Sequence, residues 1–348
     1  MKALVFNGEQ GVKHQTINDP MLQDDEGAIV RVTHCSICGS DSQFYHGFNN
    51  ASDDVGFCIG HEAVGEIAEV GRNVNHLSRG DPVMLAGLIL DTCGDCATCQ
   101  AGQPRYCRRQ NLSIYGNSLA LHGSQAEAVL VPNADANATL IPDGISHEQA
   151  LLLTDTLPTA FIGCENAAIK PGSAVAVVGL GPIGLMAVEL AYSLGAGRVF
   201  AIDPIAYRRE KAGKLGATAY SPETAFEAIV EETDGLMVSS IVDAAGNDAS
   251  IEMSATIAAY HGTISCVGIS HTPHVKYPQI MSIVKSLTFR SALSYVSETW
   301  PDLVPMLQQG RIQPEKVLSH TLPLAEGERA YELFMNKLDD TTKIVLNP

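Results

Sequence analysis

The chain has 348 residues, 45% of them hydrophobic and 18% charged, and a formal net charge of −17. That length is too great for one hydrophobic core and implies two domains. The acidic balance excludes nucleic acid and anionic membrane surfaces as partners, because both need a basic footprint.

No apolar run reaches the ~18 residues of a membrane-spanning helix. The opening Met1 to Phe6 turns polar at Asn7 and lacks the apolar core and cleavage site of a signal peptide. A cytoplasmic protein is expected. In a reducing compartment, clustered cysteines more often bind metal or take part in catalysis than form lasting disulfides.

Taken in chain order, short apolar runs punctuated by glycine fill roughly the first 150 residues and predict β-structure. Strands are expected at 28–32, 63–70 and 126–132. The pattern then changes. Strands at 173–178, 198–202, 239–243, 262–267 and 287–290 alternate with helical stretches, among them 183–194 and 207–215. Such alternation predicts a parallel sheet covered by helices. The tail from Thr342 to Pro348 reads as a terminal strand that rejoins the first domain.

The stretch from Ser173 to Gly184 reads strand, tight turn, helix. Gly179, Gly181 and Gly184, with Pro182 and Ile183 between, fill a G-x-G-x-x-G pattern. The first glycine allows the turn, the second lets backbone approach a pyrophosphate, and the third lets helix pack on strand. Asp203 follows nineteen residues after Gly184, at the end of the next strand. A carboxylate there accepts the ribose hydroxyls of NAD and repels a 2′-phosphate. Arg208 and Arg209 lie nearby and leave NADP as the lesser alternative.

Two cysteine and histidine sets suggest metal. Cys38 and His61 offer the S and N donors that zinc favours. Cys93, Cys96, Cys99 and Cys107 are spaced C-x2-C-x2-C-x7-C. Four thiolates in one short loop can close a tetrahedral zinc site. An iron–sulfur cluster fits the first three spacings, but the last gap is too long and no proline follows Cys107.

Gly60-His61-Glu62, then Gly65, Gly71 and Val74, together with Cys38-Gly39-Ser40-Asp41, resemble the zinc signatures of medium-chain alcohol dehydrogenases. The resemblance covers essentially the whole chain. It is nearest to the secondary-alcohol and formaldehyde dehydrogenase branches, in which an aspartate ligates zinc. It implies an α/β chain: a GroES-like, β-rich catalytic domain at 1–152 with a structural-zinc lobe at about 91–110, a doubly wound Rossmann domain at 153–296, and a segment 297–348 that rejoins the catalytic domain.

By that resemblance Cys38, His61 and Asp155 hold a catalytic zinc, with Cys164 as the rival third ligand. Cys93, Cys96, Cys99 and Cys107 hold a structural zinc. Glu62 stands beside the catalytic metal, and Ser40 takes the substrate proton. The family's outer relay histidine is replaced by Gln43, which carries no charge as acid or base, so His46 or water completes the path. Cys35 is read as packing. Val267, Ile269 and Leu293 fall where relatives hold the carboxamide end of the cofactor. Gly87 and Tyr115 fall near the substrate pocket.

The implied activity, of EC 1.1.1 type, is reversible oxidation of a small alcohol, preferably secondary, to a ketone or aldehyde with hydride transfer to NAD. The alternatives are a formaldehyde or primary-alcohol dehydrogenase and a non-catalytic NAD-binding relative. A zinc-free quinone reductase shares the domain plan but lacks both metal sets. A homodimer or homotetramer is expected.

Overall fold

The computed structural model describes residues 1–49, 53–101, 103–110, 113–269 and 274–348. It divides into two compact units: Met1–Asp155, Tyr295–Gln309 and Leu318–Pro348 form one, and Thr156–Ser294 with Gly310–Val317 the other. No helix among the described residues is long and apolar enough to cross a membrane.

The first unit is β-rich. One sheet runs Ala138–Leu140, Pro82–Leu85, Glu62–Val70, Ala28–Ser36, Lys343–Asn347, Leu318–Pro323, with Ala128–Val131 also paired to Ala28–Ser36. Ala28–Ser36 continues past the residue 32 expected from sequence. Register shifts at Ile29/Val30 and Val32/His34 interrupt its alternation, so its far end carries no clean period-two signal. That extra length brings the strand to the threshold of Cys38.

The C-terminal strand Lys343–Asn347 sets Val345 opposite Ser36 and Leu346 opposite Cys35. A smaller sheet joins Lys13–Thr16, Lys2–Phe6 and Phe57–Cys58. Lys2–Phe6 has no counterpart among the sequence expectations. Its last four residues are all buried, so polar alternation is missing there too. Phe6, Phe44 and Phe57 meet in tilted and edge-on pairs, with centroids 5.3, 5.6 and 5.7 Å apart, at the heart of this core.

The second unit is a six-stranded, all-parallel sheet in the order Thr218–Tyr220, Arg198–Ile202, Ala174–Val178, Val238–Asp243, Ala258–Cys266, Thr288–Ser291. Numbered within the unit this is 3-2-1-4-5-6, the doubly wound dinucleotide-binding order. Its strands Ala174–Val178 and Arg198–Ile202 read as near-continuous apolar runs, as buried parallel strands do. The expected elements are present with ends shifted by a residue, except that the strand expected from 262 begins at Ala258.

Gly179 takes φ +87° at the turn between the first strand and the helix Pro182–Ser193. A Cβ on Gly184 would lie 1.8 Å from the Gly179 carbonyl oxygen, so strand and helix meet only through glycine. Gly184→Ala is therefore expected to cost about 1–3 kcal/mol, the usual range for overpacking. An apparent melting temperature equal to wild type would refute this close-approach argument.

Candidate functional site

Cys38 follows the end of the strand Ala28–Ser36 and opens the 3-10 turn Gly39–Asp41. His61 immediately precedes the strand Glu62–Val70. Asp155 comes from elsewhere in the chain, directly ahead of the helix Thr156–Asn166. The fold brings them together. Cys38 Sγ lies 3.5 Å from Asp155 Oδ2, and His61 Nε2 lies 3.3 Å from the same oxygen. One donor atom each from Cys38, His61, Glu62 and Asp155 falls within a 4.8 Å cluster.

These separations fit zinc. Tetrahedral Zn–S bonds of about 2.3 Å and Zn–N or Zn–O bonds of about 2.1 Å place neighbouring ligands roughly 3.4–3.6 Å apart. Burial opposes charge on Asp155, yet the hydrogen bond and charge of His61 prevail and hold its carboxyl down to about 2. Burial pushes the Cys38 thiol up, with the Asp155 charge adding to the rise. A divalent cation at this point reverses that thiol's preference.

Behind the ligands, Asp41 is 1% exposed. Its Oδ1 faces His61 Nδ1 at 3.5 Å, and its Oδ2 accepts the Cys38 backbone N–H at 3.0 Å. A proton on Nδ1 leaves the Nε2 lone pair for metal. Glu62 is fully buried. Its Oε2 accepts hydrogen bonds from the Ser36 hydroxyl and the Lys343 ammonium. Lys343 Nζ also donates to the Ile37 carbonyl at 3.0 Å. Sequence reasoning assigned no role to Asp41 or Lys343. The available signals were an Asp inside the zinc stretch and a lone Lys opening an apolar terminal strand.

Gly87 threads between the ligand-bearing segments. Its N–H donates to the Thr154 carbonyl at 3.0 Å, and a Cβ there would stand 2.8 Å from the His61 carbonyl oxygen. Tyr115 is 1% exposed in the first unit's core, and its hydroxyl has no hydrogen-bond partner among the described residues. Ser40 is half-buried in the turn after Cys38. His46 is exposed, edge-on to Tyr45 at 5.5 Å and stacked on Phe48 at 6.4 Å.

Cys35 and Cys164 are among the thiols that stand apart from both clusters. Cys35 is buried with its sulfur 3.7 Å from the Leu346 carbonyl. Cys164, in the second unit, is fully buried with its sulfur 3.5 Å from the Ala187 carbonyl.

The four-cysteine set closes on itself. Cys96 and Cys99 sulfurs are 3.4 Å apart, Cys93 and Cys107 3.5 Å, Cys96 and Cys107 3.9 Å. Disulfide bonds of about 2.05 Å are excluded, and tetrahedral Zn–S bonds give about 3.8 Å. The Thr98 hydroxyl and backbone amides hold the Cys96 thiol down to about 5. Amides of Cys93 and Arg109 also point at the Cys107 sulfur, both at 3.3 Å.

In the second unit, a Cβ on Gly181 would meet nothing closer than an Arg208 nitrogen at 3.9 Å. The backbone there is open to a ligand, as a pyrophosphate cradle requires. Asp203 is buried. It accepts the Leu180 amide at 2.7 Å and the Ile205 amide at 2.8 Å, and Arg208 lies 3.9 Å from it. The Val267 N–H donates to the Asp243 carbonyl at 2.9 Å, while Ile269 and Leu293 expose their side chains.

A dinucleotide-binding sheet joined in one chain to an open S/N/O metal site and a closed four-thiolate site defines a metal-dependent oxidoreductase. Residues 24–143 match the alcohol dehydrogenase GroES-like domain, and residues 182–309 match the zinc-binding dehydrogenase domain. The chain is 38% identical to a probable zinc-binding alcohol dehydrogenase of Mycobacterium tuberculosis, across 100% of this chain and 89% of that protein.

An alcohol dehydrogenase from Thermus sp. ATN1 superimposes with a TM-score of 0.90 at 36% identity, covering 100% of this chain and 99% of that one. A zinc-dependent alcohol dehydrogenase from Streptococcus pneumonia gives 0.89 at 29% identity, covering 100% and 98%. The chain belongs to the zinc-dependent medium-chain alcohol dehydrogenases.

Two predictions follow from the ligand geometry. Asp155→Ala should drop metal content from two zinc ions per chain to one, while Cys164→Ala retains both. Atomic absorption of the purified variants decides this, and two zincs in Asp155→Ala would reject Asp155 as a ligand. Lys343→Met strands the Glu62 carboxylate in the core and should cost about 3–5 kcal/mol. Denaturant unfolding reads that loss, and a wild-type midpoint would show the pair to be dispensable.

Proposed function

We propose that the chain oxidises small-to-medium secondary alcohols reversibly to ketones, with NAD as the hydride acceptor. The observation that carries this is the convergence of Cys38, His61 and Asp155 on one point, with three protein donors of unlike type. Three such ligands leave zinc a position for substrate oxygen, whereas four thiolates leave none. Zinc at that position would supply Lewis acidity, which lowers the pKa of an alcohol hydroxyl toward neutrality. NAD would supply the electrophilic ring carbon.

The chain's own residues then do the following. Asp41 keeps His61 in the tautomer that presents Nε2. Glu62 stays beside the site as a carboxylate neutralised by Lys343. Ser40, two residues after Cys38, accepts the substrate's proton. His46 is exposed and hands the proton to solvent, a task Gln43 cannot perform. Gly179, Gly181, Pro182, Ile183 and Gly184 cradle the pyrophosphate at a helix N-terminus. Asp203 receives the ribose hydroxyls with Arg208 beside it, and Val267, Ile269 and Leu293 receive the carboxamide. Gly87 and Tyr115 lie at the substrate end.

A second copy of the chain is the expected partner, giving a dimer or tetramer. Thr288–Ser291 ends the parallel sheet with one open edge among the described strands. Beside it in sequence, the helix Gln279–Lys285 exposes Ile280, Ile283 and Val284. An open edge and an apolar row both call for cover. The thiolate-rich sites suit the cytoplasm, whose reducing chemistry keeps cysteines free.

A substrate panel tests the reading. Secondary alcohols should turn over with NAD, and activity should vanish with a strong chelator and return with added zinc. Like charge between Asp203 and a 2′-phosphate should give kcat/KM roughly 100-fold higher for NAD than for NADP. A preference for NADP would defeat the role given to Asp203, and turnover confined to formaldehyde or primary alcohols would defeat the substrate class.

A further inference from the structure

Tyr331 sits on the helix Gly327–Met335, fully buried in the core of the first unit. Its ring stacks on Tyr45 with centroids 6.3 Å apart. A buried phenol hydroxyl must find a partner or cost about 1–3 kcal/mol. This one reaches two: Gln125 Oε1 at 2.9 Å and Asp41 Oδ2 at 3.2 Å.

Gln125 has little freedom to turn. Its Nε2 donates to the Ser36 carbonyl at 3.0 Å and to Asp41 Oδ2 at 3.2 Å, which turns its oxygen toward Tyr331. Its side chain also fills the space above Gly60, where a Cβ would lie 2.4 Å from it. Asp41 Oδ2 thus accepts from the Cys38 and Gln125 amides and shares the single Tyr331 hydroxyl proton with Gln125 Oε1. Oδ1 is left facing His61 Nδ1.

We propose that Tyr331 is a positioning residue for the catalytic metal. Together with Gln125 it fixes the rotation of the Asp41 carboxylate, and through Asp41 the tautomer and ring orientation of His61. A carboxylate oxygen held by two amides and a shared hydroxyl proton keeps its other oxygen facing the imidazole. Loss of outer partners of this kind typically lowers metal affinity 10- to 100-fold. The hydroxyl's part is separable from the ring's, because phenylalanine keeps the ring and its stacking.

The inference rests on Cys38, His61 and Asp155 as metal ligands. The test follows zinc release from the intact holoenzyme to a colorimetric chelator. The four-cysteine zinc serves as an internal reference, and the phase missing from Asp155→Ala marks the catalytic metal. In Tyr331→Phe that phase should quicken about 10-fold while the reference phase stays at the wild-type rate. Gln125→Met should do the same, and decides the matter if Tyr331→Phe does not fold. Wild-type release of the catalytic zinc from both variants overturns the proposal. So does equal acceleration of both phases, which would mark Tyr331 as general packing. A wild-type chain holding only one zinc removes the ligand assignment itself, and this inference with it.

Discussion

Buried negative charge is the constraint around which the first unit is organised. Asp41, Glu62, Asp155 and the Cys38 thiol crowd one largely dry region. Carboxylates in such a place cost several kcal/mol each unless paired. Two of them have permanent answers from the chain: Glu62 meets Lys343, and Asp41 meets neutral donors together with His61. Cys38 and Asp155 lie against each other and share His61. Two anionic donors and a neutral imidazole match a divalent cation in charge as well as in geometry. The region becomes coherent with metal bound.

The fold meets this constraint through its C-terminal segment. Lys343 opens the strand that pairs with Ala28–Ser36, so its ammonium arrives under Glu62 with the register of the sheet. Tyr331 arrives with the preceding helix and touches Asp41. Cys38 and His61 come from early strand ends, Asp155 from just ahead of a helix, and the supports from the end of the chain. The metal site therefore depends on the whole first unit being assembled. The four-cysteine lobe has the opposite design. All its ligands and their amide donors come from Cys93 to Arg109, so it can close locally.

This difference explains what could be read from the chain. Cys93 to Cys107, the glycine loop and His61-Glu62 are local patterns whose chemistry is visible in short spans. The parallel half was legible because short strands such as Ala174–Val178 and Arg198–Ile202 are largely apolar and alternate with helical stretches. The supports were not legible. Asp41 and Tyr331 are 290 residues apart, and Glu62 and Lys343 are 281 apart. No short-range period records such pairings. Gly87 was expected from the sequence to fall near a substrate pocket. That it lets the His61 and Thr154 backbones approach each other needs coordinates.

Asp155 brings these threads together. Placed directly before a helix, it could be read as a simple cap for that helix or as a metal ligand. The two roles reinforce each other. The positive end of a helix favours a carboxylate in the first turn or just ahead of it. The hydrogen bond and charge of His61, with Lys343 and Cys38 contributing, outweigh the burial that would otherwise protonate the group. An oxygen donor so stabilised remains anionic and weakly basic. As a zinc ligand it would donate less electron density than a thiolate, which would leave the metal more Lewis-acidic and more easily lost. Such a site depends on tightly held partners for its remaining ligands. The pinned imidazole of His61, with Asp41 fixed behind it, meets that need.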